Sequence, residues 1–241
     1  RQALESSELQ AWLMPQVDLA SNLLQGYEAL VRWPQPDGQL STLENIRDLA
    51  RSGQLAEALD GEMLRQSIAA LQQLQAPLSV AVNLSAETLA RPEAVEQVQR
   101  WLEQAGVAPH RLHLEITETA LLRLSSDVSA TIQRLSALGV RWVVDGFGAG
   151  YSSISHLRDL PIHGLKLDGS FIAGVRNGDQ KSLRLAQALA GLAESLGLDT
   201  VAEGIESLAE ATSLRELGWR CGQGLYFGKA APLSHWQTNH L

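Results

Sequence analysis

The sequence predicts an α/β barrel whose first strand runs against the others, and three observations predict it. Helical patterns that close on glycine lead through a short apolar run to a polar residue: Leu138-Gly139 to Asp145, Leu196-Gly197 to Glu203, and Leu217-Gly218 to Gln223. A helix ended by glycine and followed by a strand is the repeating unit of a parallel sheet, and each repeat brings its polar group to the same sheet edge. Strand-like and helix-like stretches also alternate along the chain, with eight strand candidates in all. The first two candidates, AWLMPQVDL and LLQGYEALVRW, are joined around Asn22 by a connection too short for a helix, so they pair antiparallel. The economical architecture is a TIM-type (β/α)8 barrel variant with one antiparallel strand near the N-terminus, and a doubly wound open sheet is the runner-up.

Each element has its own signal. A short polar, helix-like lead (ALESSELQ) precedes the first strand, and the second strand carries Glu28 and Arg32 in apolar surroundings. Residues 43–75 read as helix interrupted near Gly53, with an apolar face at Leu59, Met63, Ile68, Leu71 and Leu74, ended by Pro77. LSVAVNL is a strand ending on Asn83, with Ser85 placed to cap the next turn. A helix over residues 93–104 leads to the strand RLHLEIT, which ends near Glu115, with Thr117 as a cap and Glu118 just beyond. The helix carrying Val128, Ile132, Leu135 and Leu138 leads to VRWVV, a buried strand by length and residue type, which stops at Asp145. Gly146, Gly148 and Gly150 follow, a run that can turn several N–H groups toward one place. The plainer reading of that stretch is a strand-to-helix turn with an aspartate cap. SSISHLRDLP is a short helix, HGLKLD a strand carrying Lys166, and Leu185, Leu189, Leu192 and Leu196 are spaced as the core face of a long helix. The strand LDTVA, a helix to Leu217 and a strand ending at Gln223 complete the series, and the tail from Ala230 is weakly patterned.

The 241 residues suit one domain, and neither a linker nor a low-complexity segment divides them. A single cysteine, Cys221, excludes a disulfide framework and a cysteine zinc cluster and suits a reducing cytoplasm. No apolar stretch approaches the ~20 residues of a membrane span. The chain opens on Arg1, so it is expected to be a piece of a longer multidomain protein, whose other parts could hold a sensor or a membrane anchor. A net charge of −8 works against a nucleic-acid polymer as partner. A small phosphate ester remains open, provided a divalent metal bridges the like charges.

In either fold Glu28, Asn83, Glu115, Asp145, Lys166, Glu203 and Gln223 lie at the C-terminal strand ends, where ligands bind. Carboxylates and amides without a histidine cluster are hard oxygen ligands suited to Mg²⁺ or Mn²⁺. With a lysine beside them they suit metal-assisted hydrolysis of a phosphate ester, and an enolase-like proton abstraction would use similar parts.

EALVRW at Glu28, NLS at Asn83, EITE from Glu115 to Glu118, DGFGAGYSS, LPIHGLKLD, AEGIE from Glu203 to Glu206 and QG at Gln223 resemble, in order and spacing, the signatures of the EAL domain family. The resemblance runs nearly from end to end. It implies a barrel with one antiparallel strand that hydrolyses cyclic di-GMP to the linear dinucleotide pGpG with Mg²⁺ or Mn²⁺. It implies Glu28, Asn83, Glu115 and Asp145 as metal ligands. It gives Glu203 the role of metal ligand or general base, and Lys166 contact with the water and the phosphate. Gln223 would support that water, Arg32 would meet the substrate phosphate, and Glu118 would brace the loop after Asp145. It further implies cyclic di-GMP as partner, homodimer formation, a cytoplasmic location and a sensor or GGDEF-type domain in the same full-length chain.

Four positions depart from the family pattern: Gly146 where a second aspartate usually stands, Met14 for Gln, His163 for Asp, and Gly169 for Arg. Glycine offers no donor, so reduced turnover is one expectation and a receptor that binds cyclic di-GMP without cleaving it is the alternative. Simpler roles also stand: Glu118 and Glu206 as helix-start carboxylates, Arg32 paired with Asp18 or Glu28, and Asp168 as a helix cap.

Overall fold

The computed structural model describes residues 9–35, 40–42, 53–148 and 154–238. The helix-like reading of residues 43–52, most of the polar lead and the end of the glycine loop lie outside them.

Strand β1 (Gln10–Asp18) pairs antiparallel with β2 (Leu24–Pro34), from Gln10 opposite Arg32 to Val17 opposite Leu24. Their turn is set by Asp18, whose carboxylate accepts from the N–H groups of Ala20 and Ser21 and the Ser21 hydroxyl, and by Asn22 at φ 57°. Asparagine tolerates that left-handed conformation better than most side chains. The rest of the sheet is parallel: β2 pairs with β4 (Ser79–Asn83), then β5 (Leu112–Thr117), β6 (Arg141–Phe147), β7 (Gly164–Leu167), β8 (Asp199–Ala202) and β9 (Cys221–Gly222). β9 returns to β1 antiparallel and closes the ring. This is the mixed barrel the sequence predicts. A ninth strand, β3 (Leu40–Thr42), hangs on the outer side of β2 and is too short to show a pattern in sequence.

The helices form the outer layer: α1 (Gly53–Gln73), α2 (Ala86–Leu89), α3 (Ala94–Ala105), α4 (Glu118–Leu121), α5 (Ser126–Ala137), α6 (Ile154–Asp159), α7 (Gly169–Arg176), α8 (Gln180–Ser195), α9 (Leu208–Glu216) and α10 (Leu233–Thr238). Ser85, Thr117, Ser125, Asp168, Asp179 and Ser207 each accept a backbone N–H at a helix start, so Asp168 does cap α7. Between helices and strands lies an apolar layer that includes the fully buried Leu114, Ile116, Ile132, Leu135 and Trp142. The Trp142 and Trp219 indoles bury completely because each N–H finds a carbonyl, Ile132 O and Ala186 O respectively.

Two expectations need correction. On α8 Leu189 and Leu192 pack against the core as expected, joined by the buried Ala186, Ala190 and Ala193, while Leu185 and Leu196 are exposed. The helix packs close where Ala190 meets Gly218 and where the Ala186 carbonyl accepts from the Trp219 indole, so small side chains stand at those two points. The tail is also built into the fold. Leu13 and Ala231 exchange both backbone hydrogen bonds, and the Trp236 indole donates to Leu13 O while packing against Tyr27.

Candidate active site at the C-terminal rim

Strand alternation separates two chemistries. In β5, Leu112, Leu114 and Ile116 join the apolar layer, which turns His113, Glu115 and Thr117 into the barrel. In β6 the same alternation buries Trp142 and Val144 outward and leaves Arg141, Val143 and Asp145 inward. β7 sends Leu165 and Leu167 outward and Lys166 inward.

Lys166, 0% exposed, is the hub. Its Nζ lies 2.7 Å from Glu115 Oε2, 3.0 Å from Glu28 Oε2 and 3.7 Å from Asp145 Oδ1, and it also pairs with Glu203 Oε1. Asn83 Nδ2 donates to Glu28 Oε1 at 2.9 Å and to Glu115 Oε2 at 3.2 Å. Gln223 Nε2 donates to Glu28 Oε2 and, at 3.1 Å, to Glu203 Oε1. Glu28 and Glu115 lie deep, whereas the Asp145 and Glu203 side chains keep 22% and 24% exposure. The sealed charges form a floor and the open ones a rim.

Four carboxylates around one ammonium cannot all titrate normally. Burial would lower the Lys166 pKa, but the surrounding carboxylates drive it well above the usual lysine value. Burial and the repulsion of Glu28, Asp145 and Glu203 push Glu115 well up despite Lys166. Glu28 feels the same burial, yet Lys166 and the Gln223 amide hold it below the ordinary carboxylate range. Glu203 is raised to about 7, by burial first and then by its acidic neighbours. Near neutral pH it can both give and take a proton.

Among the described residues no three acidic, histidine or cysteine side chains already stand together as a ready metal cage, because Lys166 stands between the carboxylates. The donor set nonetheless fits a hard divalent cation. Glu115 Oε1 and Asp145 Oδ1 are buried and accept no hydrogen bond among the described residues, and an anionic cluster that must hold protons is one that a cation can discharge.

The remaining sequence candidates sit around this centre. Glu118, buried at the start of α4, accepts from Gly148 N at 3.0 Å. Gly148 has φ +96°, and a Cβ there would lie 2.9 Å from Leu189 and 3.1 Å from Phe171, so the loop needs glycine at that point. Gly146 has φ +67°, with room for a Cβ whose nearest neighbour is Asp168 Oδ2 at 3.7 Å. Arg32, partly buried, donates to Val31 O at 2.8 Å and stands outside the hydrogen-bonded cluster. It pairs across the hairpin with Gln10, at the opposite end from Asp18, which rules out Asp18 as its partner. A cavity of about 550 Å³, lined in part by Asp60, Asn83, Ser85, Thr117 and Arg123, adjoins the cluster at Asn83.

Two supporting residues escaped the sequence reading. Gln16 is buried and donates to Gln223 Oε1 at 2.8 Å. Its signal was present, a polar residue at an inward position of an otherwise apolar strand. Asp60 accepts from Ser85 N at 2.8 Å and Thr88 Oγ1 at 2.6 Å, tying α1 to the turn after Asn83. No local pattern announces that bond.

Over 238 residues the chain is 37% identical to the cyclic di-GMP phosphodiesterase NbdA of Pseudomonas aeruginosa, covering 97% of this chain and 30% of that protein. It spans about a third of the length of the curated relatives it first matches. Its fold superimposes with TM-score 0.91 on the MucR phosphodiesterase in complex with c-di-GMP, at 32% identity and covering 98% and 96% of the two chains. With a calcium/cy-diGMP complex of Klebsiella pneumoniae BlrP1 the TM-score is 0.81 at 27% identity, covering 96% of this chain and 58% of that one. The EAL domain model matches residues 1–230, and the chain belongs to the EAL domain family.

Proposed function

We propose that this domain hydrolyses cyclic di-GMP to linear pGpG with Mg²⁺ or Mn²⁺. The observation that carries the reading is the convergence of Glu28, Glu115, Asp145 and Glu203 on the buried Lys166, with one carboxylate oxygen each of Glu115 and Asp145 accepting no hydrogen bond among the described residues. Glu28, Asn83, Glu115 and Asp145 would hold the metal, which when bound supplies Lewis-acid charge at the phosphate and lowers the pKa of water. Glu203, near its midpoint at neutral pH, takes the proton as the water oxygen attacks phosphorus. The P–O3′ bond breaks, and the departing 3′ oxygen collects a proton to become the hydroxyl of pGpG. Lys166, permanently charged, offsets the negative charge that builds on the phosphoryl oxygens. Gln223, bonded to Glu203 and held by Gln16, keeps the base oriented. Arg32 is assigned to the substrate phosphate, and Glu118 to the loop after Asp145 through Gly148. The proposal includes a cytoplasmic location, a homodimer and a sensor or GGDEF-type domain in the full-length protein. The curated name of the relative MucR, a bifunctional diguanylate cyclase/phosphodiesterase, supports the last. No helix among the described residues is long and apolar enough to cross a membrane.

Gly146 favours a second reading, a receptor that binds cyclic di-GMP without turnover, since it places no donor beside Asp145. Incubation with cyclic di-GMP and Mn²⁺, with chromatography of the product, separates the two when Gly146→Asp is run alongside. Linear product from the unaltered chain supports the enzyme. Binding without product, and product only from the variant, supports the receptor. Neither binding nor product from either chain would remove both.

A further inference from the structure

Glu203 projects from a turn rather than from the body of a strand, so something must fix that turn. On one side the loop after β9 does so: Ile205 N donates to Gln223 O at 3.1 Å and Tyr226 N to Ile205 O at 3.0 Å. On the other side stands Arg176, the last residue of α7. Its Nε donates to Glu210 Oε1 at 2.8 Å, and its NH2 group pairs with Glu206 Oε2 at 3.1 Å. The second oxygen of Glu210 accepts the backbone N–H of Glu206 at 2.8 Å. One guanidinium thereby grips the turn twice, directly at the Glu206 side chain and through Glu210 at the Glu206 backbone.

The Arg176 and Glu206 side chains are 41% and 52% exposed, so it is the buried Glu210 that takes the placement beyond a surface ion pair. Glu210 is 5% exposed, a carboxylate that would rarely be buried without a partner. Burial works against its charged form, but Arg176 and the Glu206 N–H outweigh that and hold its pKa below the usual range. α7 directly follows the strand that carries Lys166, and the turn follows the strand before Glu203. The turn lies over the start of the same helix, where a Cβ on Gly204 would be 3.9 Å from Gly169 Cα. Gly169 contributes no side chain to the junction, and Arg176, two helical turns further along that face, does.

We propose that Arg176 is a positioning residue for hydrolysis: through Glu210 and Glu206 it fixes the turn that aims Glu203 at the reacting water. This role rests on the phosphodiesterase reading above. The Arg176 contacts to the turn are separate from the Lys166–Glu203 ion pair.

The test uses Arg176→Met, Arg176→Lys and Glu210→Gln, with two readouts. Amide hydrogen exchange at Ile205 and Glu206 needs no turnover. We expect Arg176→Met to speed exchange at Glu206 about tenfold or more while the amides of the Lys166 strand stay protected, with partial recovery in Arg176→Lys. In the Mn²⁺ assay we expect kcat to fall roughly ten- to a hundredfold with KM within twofold, since misaiming a base costs the chemical step and not the binding. Unchanged Glu206 exchange in Arg176→Met overturns the inference whatever the activity. Faster exchange with unchanged kcat overturns the positioning role, and a parallel loss of protection across the barrel reduces Arg176 to a structural residue. If the unaltered chain shows no turnover, the phosphodiesterase reading fails, and the exchange readout still decides whether Arg176 anchors the turn. Should Arg176→Met not fold, Glu210→Gln, similar in shape and lacking the charge, carries the same exchange measurement.

Discussion

The two mouths of the barrel handle charge in opposite ways. At the N-terminal mouth Arg141 and Arg220 share Asp199, at 2.7 and 3.0 Å, and all three side chains keep a third or more of their surface in water. His113 and His163 line a cavity of about 440 Å³ beside them, and His163 Nδ1 accepts from Trp142 N at 3.1 Å. At the C-terminal mouth one sealed lysine serves four carboxylates, two of them with an oxygen that accepts no hydrogen bond among the described residues. The first arrangement is cheap, because exposed pairs contribute little and lose little. The second is held against a large desolvation cost, which a fold bears only where the charges are used. Ion pairs alone would not have distinguished the mouths; burial and imbalance do.

The largest expected effect lies at the costly mouth. Glu28→Ala should lower hydrolysis by about a thousandfold or more through loss of a metal ligand. Unchanged linear product would break the metal assignment. Next comes stability. Urea unfolding of the metal-free domain should show Lys166→Met costing about 3 kcal/mol or more, since it leaves buried carboxylates without a cation. Arg220→Ala should cost under about 1 kcal/mol. Equal losses would erase the contrast between the mouths.

The mouths should also answer pH with opposite sign. Glu203, raised to about 7, favours the metal-free fold fully below its unfolded pKa of 4.5, and that contribution is lost as pH climbs through 7. His113 is lowered to about 4, by burial and then by Arg141, and its contribution is present above 6.5 and lost as pH falls toward 4. Each shift sets an upper bound of about 3.4 kcal/mol. Melting temperatures from pH 4 to 8 should therefore flatten on the alkaline side in Glu203→Gln and on the acid side in His113→Asn. Mn²⁺ should stabilise the domain more at pH 8 than at pH 5, because it must displace protons from Glu115 and Glu203. The smallest effect on turnover is expected from Gln16→Ala, about a fivefold loss of kcat, because Gln223 loses one hydrogen bond of about 1 kcal/mol. A loss as large as that of Glu28→Ala would mean that Gln16 itself meets substrate.

Much of this was legible in the chain. Gly139, Gly197 and Gly218 close helices, the runs after them are strands, and Asp145, Glu203 and Gln223 end where that grammar places them. The site was readable because strand direction alone brings strand ends together. What escaped depends on distance or on size. Ala186 and its fellow alanines look less like a core face than the leucines beside them, and only close packing selects them. Asp60 and Arg176 find partners on other elements, 25 and 34 residues away, which periodicity cannot register. The strand role of Ala231 is a single bridge to Leu13, below any run length that marks a strand.

That bridge has a consequence for the life of the protein. Trp236 bonds to Leu13 across 223 residues, and Gln16 to Gln223 across 207. The floor of the carboxylate cluster is stitched from both ends of the domain, so the barrel cannot close until residues from each have been made. Ring closure and the Gln16–Gln223 bond therefore form together and late in the making of this domain, and a copy cut short before Gln223 would have neither.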